Sequence, residues 1–194
     1  MSPASLPHRP IIATRVQDSV PVFRSGGGPV HEDALPPTGA GFTLRASVDL
    51  EHDASGVVVA LGDWNNGWAL WLRAGAPVFS VSLLGAPHRI EAAAVATGPH
   101  EIEASMGRDG EIVLSVDGVP SGSVRLRGAW PFRWQIGGAG MRLGHDRGIP
   151  VDEGHRPPFV LSGAIQITIE SHALAALLGE VPTNAEIAAR LHRE

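Results

Sequence analysis

The feature that most constrains this chain is an alternation of apolar and polar side chains with a period of two, which restarts many times with glycine-containing turns between the runs. From Phe42 onward, Phe42, Leu44, Ala46, Val48 and Leu50 would point one way and Thr43, Arg45, Ser47 and Asp49 the other, the pattern of a half-buried strand. The alternation returns at 68–73, 78–83, 100–106, 111–116 and 165–170, and 56–61 is a short apolar run suited to a strand buried on both faces. Between the runs stand Asn65-Asn66-Gly67, Ala74-Gly75, Asp109-Gly110 and Asp117-Gly118, residues that supply the positive φ angles of tight hairpins. Parallel neighbours would need long crossovers that the spacing does not leave, so the sheet is predicted antiparallel and must close as a sandwich or a barrel.

The ends of the sequence differ in kind. Residues 1–40 carry Gly26-Gly27-Gly28-Pro29 and Pro36-Pro37 and are predicted as a largely irregular tail, with one strand within 11–23. Residues 172–194 form the second tail. Its predicted helical parts are 171–178, rich in Ala and Leu, and 185–193, where Asn184 stands at the N-cap and Ile187 and Leu191 share a face. A β domain over 41–171 lies between them.

A length of 194 residues suits one domain with a sizeable core. Its 43% hydrophobic and 18% charged residues fit a globular protein, and a formal charge of -5 gives no basic footprint for nucleic acid. All fixed positive charge is arginine, and the absence of cysteine removes disulfides, thiolate nucleophiles and cysteine-based zinc sites. No secretory h-region opens the chain and no run is long enough for a membrane helix, so no membrane contact and a cytoplasmic location are expected.

From Gly41 to about Glu170 the sequence resembles the C-terminal concanavalin A-like domain of bacterial arylsulfatases. The resemblance is carried, in order, by GVVVALGDWNNGWALWL (56–72), APVFSVSLLG (76–85), GPHEIEASM (98–106), IVLSVDGVPSGSV (112–124), RLGHDRGIPV (142–151) and PPFVLSGAIQITIE (157–170). It implies an all-β, laminin-G-like antiparallel β-sandwich of the jelly-roll type, to which the residue pattern adds the short C-terminal helical tail. In the family a Tyr often stands where Trp71 is and an Arg where His145 is. The sulfatase catalytic domain that would precede this one is not in the sequence, so the resemblance implies a fold and no sulfatase activity. Ser5-Leu6-Pro7-His8-Arg9 fits the minimal sulfatase pattern only by coincidence, since no carboxylate-rich metal site accompanies it.

Two clusters are candidates for ligand contact. Asp63, Trp64, Asn65 and Asn66, with Trp71 nearby, combine indole faces with amide and carboxylate groups, the chemistry that recognises the apolar face and the hydroxyls of a sugar. Trp68 and Trp71 fall on opposite strand faces, so one of the two is expected to face outward. The second cluster is His145, Asp146 and Arg147, followed by Asp152, Glu153 and His155. Asp146 and Asp152 offer oxygens that suit calcium, whereas His145 and His155 would suit a transition metal. No spacing fixes two ligands on one element, and the expectation is no cofactor, with calcium on Asp146 and Asp152 as the alternative. Arg125 and Arg127, alternating with Val124 and Leu126, would give a cationic strand face.

No motif fixes a catalytic centre. Asp49, Glu51 and Asp53 share a strand face at a spacing that glycoside hydrolysis uses, but they run into a turn where carboxylates are ordinarily solvated. The expected function is a non-catalytic binding module for a carbohydrate or another polar ligand, on the concave face or rim loops. Two alternatives stand beside it. One is an assembly protein that makes a homo-oligomer or docks a partner through its tails. The other is an enzyme using His145, Asp146, His155 or the Asp49 and Glu51 pair as acid and base.

Overall fold

The computed structural model describes residues 20–126, 134, 140–146 and 148–172. The 185–193 helical segment falls wholly outside these residues and the 171–178 segment does so except for Ser171 and His172, and Ser171 is the last residue of a strand. Among the described residues no helix is long and apolar enough to cross a membrane.

The elements in chain order are β1 (Val22–Arg24), a 3-10 turn (Glu32–Ala34), β2 (Phe42–Leu50), β3 (Gly56–Gly62), β4 (Asn66–Arg73), β5 (Ala76–Leu83) and β6 (Ala86–Glu91). There follow β7 (Gly98–Met106), β8 (Glu111–Val116), β9 (Val119–Arg125), β10 (Arg142–Leu143) and β11 (Ile165–Ser171). They form two antiparallel sheets, one ordered β1-β11-β2-β7-β8-β9 and the other β10-β3-β4-β5-β6. Hairpins join β4 to β5, β5 to β6 and β8 to β9 through residue pairs that both take positive φ: Ala74-Gly75, Leu84-Gly85 and Asp117-Gly118. Such pairs match the twist of the strands they connect. Leu84-Gly85 gives no turn signal in the sequence, because leucine is a poor left-handed residue, and β6 was accordingly not foreseen.

The two sheets bury the faces that the alternation marked. Phe42, Leu44, Ala46 and Val48 from β2, Ile102 and Ala104 from β7 and Ile165, Ile167 and Ile169 from β11 meet Leu61, Trp68, Leu70, Leu72, Phe79 and Val81 of the second sheet. Trp68 lies between Phe42 and Phe79 with ring centroids 5.3 and 6.5 Å away. Trp134 is also buried, at 1% exposed. The opposite face of the first sheet is solvated and polar: Arg45 sits between Glu103 and Glu170 at 2.7 and 3.2 Å. Arg125, expected on a cationic face, instead pairs with Asp109 at 2.9 Å, and Arg127 lies outside the described residues.

The second sheet is covered on both sides. Val57, Ala60, Ala69, Trp71 and Val78 on its outer face form a second apolar layer with Val151 and Phe159, from the long segment that follows β10. The described residues of that segment, 144–146 and 148–161, form a strap. Its two ends are pinned together and to the sheet by the N–H of Gly144 on the Val58 carbonyl and the N–H of Leu161 on the Gly144 carbonyl, both 2.9 Å.

Candidate functional site

The turn between β3 and β4 is Asp63-Trp64-Asn65, two residues earlier than the Asn65-Asn66-Gly67 turn read from the sequence. Asn66 and Gly67 are strand residues paired with Leu83 and Ser82. The turn closes early because Gly62 supplies a positive φ of 84° and the Asp63 carboxylate accepts the N–H groups of Asn65 at 2.8 Å and Asn66 at 3.4 Å. The neighbouring hairpin tip then locks onto it. Asn66 is buried and its amide oxygen accepts the Leu84 N–H at 3.2 Å, the Gly85 N–H donates to the Asn65 carbonyl at 2.9 Å, and the Ser82 hydroxyl donates to the Trp64 carbonyl.

This bracing fixes an indole at the surface. Trp64 is 51% exposed and rests against Gly85, where a Cβ would stand 2.9 Å from its Cζ3. Leu84 beside it is 80% exposed at a φ of 51°, a left-handed conformation that costs a leucine about 1 kcal/mol. A strained, exposed leucine and an exposed tryptophan on interlocked turns form a rigid apolar step with the polar groups of Asp63 and Asn65 at its side.

Trp71 stands elsewhere. The alternation does place it opposite Trp68, but it is 0% exposed because the strap lies over it. The rings of His155 and Phe159 pack on it with centroids 5.3 and 6.2 Å away, and the Arg89 guanidinium lies 5.5 Å from its ring centre. The expectation that one of the two tryptophans faces solvent is thereby corrected. Its Nε1–H donates to the Ser80 hydroxyl at 3.0 Å, and that hydroxyl donates to Asp152 Oδ2 at 2.6 Å. Arg89 grips the same carboxylate with two nitrogens, Nε to Oδ2 at 2.9 Å and Nη2 to Oδ1, and the Gly154 N–H reaches Oδ1 at 2.6 Å. Burial alone would raise the Asp152 carboxyl, but the hydrogen bonds from Arg89, Ser80 and Gly154 outweigh it and hold it below the usual aspartate range.

The second sequence cluster is thus partly assembled, in a different role. Asp146 Oδ2 accepts the Nε2–H of His155 at 2.9 Å, and the His155 side chain is 0% exposed. His155 Nδ1 is buried with no hydrogen-bond partner among the described residues. His145 is half-buried with Nδ1 3.2 Å from the Leu143 carbonyl, and Arg147 lies outside the described residues. The Asp152 oxygens, which the sequence offers to calcium together with Asp146, are engaged by four protein donors. Among the described residues no group of three acidic or imidazole side chains is arranged to hold a metal. Asp49, Glu51 and Asp53 are exposed. Sequence reasoning missed Ser80 and Arg89 altogether. Their one signal is the row Ala69, Ser80, Arg89 across β4, β5 and β6, which needs the pairing register to be read.

At the far sheet a groove of about 670 Å³ runs along β1, β11, β2 and β7, lined by Arg24, Ser47, Asp49, Pro99, His100 and Glu101 among others. His100 is held by Asp117 at 2.8 Å and the Ala96 carbonyl at 2.9 Å. The Asp117 hydrogen bond, outweighing burial and helped by Ala96, lifts its pKa above the ordinary 6.5. A raised pKa means stability that is present below about pH 6.5 and lost as pH rises through the folded value. Unfolding titrations at about pH 6 and pH 9 are expected to show the wild type losing stability relative to His100→Gln at the higher pH. Equal losses would mean that the imidazolium is not favoured by folding.

No family model matches the chain, and no curated protein matches it. Solved structures do. Mouse laminin α1 domains LG4-5 superimpose with a TM-score of 0.54 at 18% identity over 79% of this chain and 39% of that one. The CBM40 of Ruminococcus gnavus IT-sialidase, bound to α2,6-sialyllactose, gives 0.52 at 11% identity over 67% of this chain and 75% of that one. The NanB sialidase of Streptococcus pneumoniae, as its K499G mutant, gives 0.58 at 14% identity over 82% of this chain and 28% of that one. The fold is a concanavalin A-like, laminin-G-like β-sandwich. The chain spans well under half of the laminin and NanB chains, and at these identities the likeness is one of fold.

Proposed function

We propose that this sandwich is a non-catalytic binding module for a carbohydrate, engaged at the rim turn Asp63-Trp64-Asn65. The observation that carries the reading is the exposed Trp64 indole, which rests on Gly85 while the Ser82 hydroxyl ties down the Trp64 backbone carbonyl, with polar side chains next to it. Burial of an aromatic face against the apolar side of a sugar ring gives affinity, and a rigid platform loses little entropy on binding. Two of the structural neighbours, the CBM40 and the NanB sialidase, come from enzymes that act on sugars, and the former was solved with a sugar bound. Kinship with the arylsulfatase appendage belongs to the same proposal, supported by the order of the shared motifs along the chain.

The test is a glycan screen by calorimetry or array, repeated with Trp64→Ala. Loss of a central aromatic contact is expected to weaken binding by about 2 kcal/mol, or about thirtyfold. Its half-exposed position keeps the change in unfolding free energy within about 0.5 kcal/mol. A screen that detects no sugar, or a Trp64→Ala protein that binds as well as the wild type, overturns the reading.

A further inference from the structure

The groups that hold Asp152 divide by origin. Arg89 on β6 and Ser80 on β5 are fixed to the sheet and donate to the carboxylate, and Trp71 on β4 orients the serine by donating to its oxygen. The Arg89 guanidinium is itself pinned over the Trp71 ring. Every sheet-borne hydrogen bond in this network points toward the anion, and the anion comes from the strap. Without the strap, the sheet face would present a forked guanidinium, an oriented hydroxyl and an indole wall, which together form a receptor for a carboxylate attached to a partly apolar ring.

The backbone hydrogen bonds that tie the strap to the sheet lie near its ends, at Gly144 and Phe159, and between them Val151, Asp152 and His155 are buried while Glu153, Gly154 and Arg156 are exposed, so the middle is held to the sheet by side chains. Arg89 is 37% exposed, so one edge of the receptor already faces solvent, whereas Asp152 is 1% exposed. Gly154 permits the close fit, since a Cβ there would stand 2.7 Å from Arg89 and 2.9 Å from Trp71.

We propose that the outer face of β4, β5 and β6 is a binding site for an acidic sugar, and that Asp152 occupies it as an internal stand-in for the ligand carboxylate. The strap is then autoinhibitory: a ligand gains Arg89 and Ser80 only as Asp152 leaves. This site is separate from the rim turn and does not depend on the Trp64 reading.

Calorimetric titration of the full chain with sialyllactose, with lactose as the neutral control, tests it. A site covered most of the time has its apparent affinity reduced by the open fraction, so Asp152→Ala is expected to bind sialyllactose at least about tenfold more tightly than the wild type. Lactose binding stays unchanged. Adding Arg89→Gln to Asp152→Ala abolishes the gain, and adding Trp64→Ala leaves it intact, which separates failure at the rim from failure here. If Asp152→Ala shows no cooperative melt, Asp152→Asn, which keeps the side-chain size and one accepting oxygen, is read in its place. The proposal is overturned by a folded Asp152 variant that binds sialyllactose no better than wild type, by an equal gain for lactose, or by a gain that survives loss of Arg89.

Discussion

Arg89→Ala is expected to lower the unfolding free energy by about 3 kcal/mol, more than Asp152→Ala, which removes the other half of the same ion pair. The asymmetry follows from where the two charges sit. Asp152 is 1% exposed, so without Arg89 its charge stays buried, with only the Ser80 hydroxyl and the Gly154 N–H among its present donors. Leaving an uncompensated charge in the interior is the costly way to break a buried pair, about 3–5 kcal/mol, and the remaining donors put this case at the low end. Arg89 is 37% exposed and hydrates itself once Asp152 is gone. That change then loses hydrogen bonds to a charged group, about 2 kcal/mol. Urea unfolding of both variants at neutral pH measures the difference. Equal losses, or a larger loss for Asp152→Ala, would mean that the strap is held mainly by its apolar contacts.

Trp71→Ala is expected to cost as much as Trp68→Ala, about 3–5 kcal/mol each. Both indoles are 0% exposed, yet for different reasons. Trp68 fills the space between the sheets against Phe42 and Phe79. Trp71 points away from that core and is sealed only because Val151, His155 and Phe159 of the strap pack over it. A tryptophan on an open outer sheet face would lose little on truncation, so denaturant titration of the pair tests whether the strap is closed in solution. A Trp71→Ala loss under about 1 kcal/mol beside a full Trp68→Ala loss would show that it is open. The same opening would raise the affinity of the proposed acidic-sugar site, which ties the two measurements together.

The sandwich was legible because its instructions are local. Phe42–Leu50 and Glu111–Val116 were read to the residue, since the alternation that marks each strand also decides which face is buried. Only the end of β9, at Val124 and Arg125, carries a strand reading in the sequence, β10 carries none, and the strand expected within 11–23 is β1 at Val22–Arg24. Each is short or lies at a sheet edge, where one partner strand and little burial leave only a weak pattern in the sequence. The rim turn was half legible. Asp63, Trp64, Asn65 and Asn66 were grouped by adjacency, but the turn moved by two residues because a side-chain cap from Asp63 and the positive φ of Gly62 decided where the chain reverses.

The network around Asp152 was beyond the reach of any local signal. Asp152 meets Arg89 across 63 positions of sequence, and Ser80 across 72. Nothing in the spacing of either residue announces the pairing. The sequence by itself determined two β-faces and the hairpins that join many of their strands, because hydrophobic period and turn chemistry act between near neighbours. Only the tertiary structure decided what covers the outer face of the second sheet. A strap without periodicity takes its place from the cavity it fills and the charge it neutralises, and both exist only after the sheet has formed.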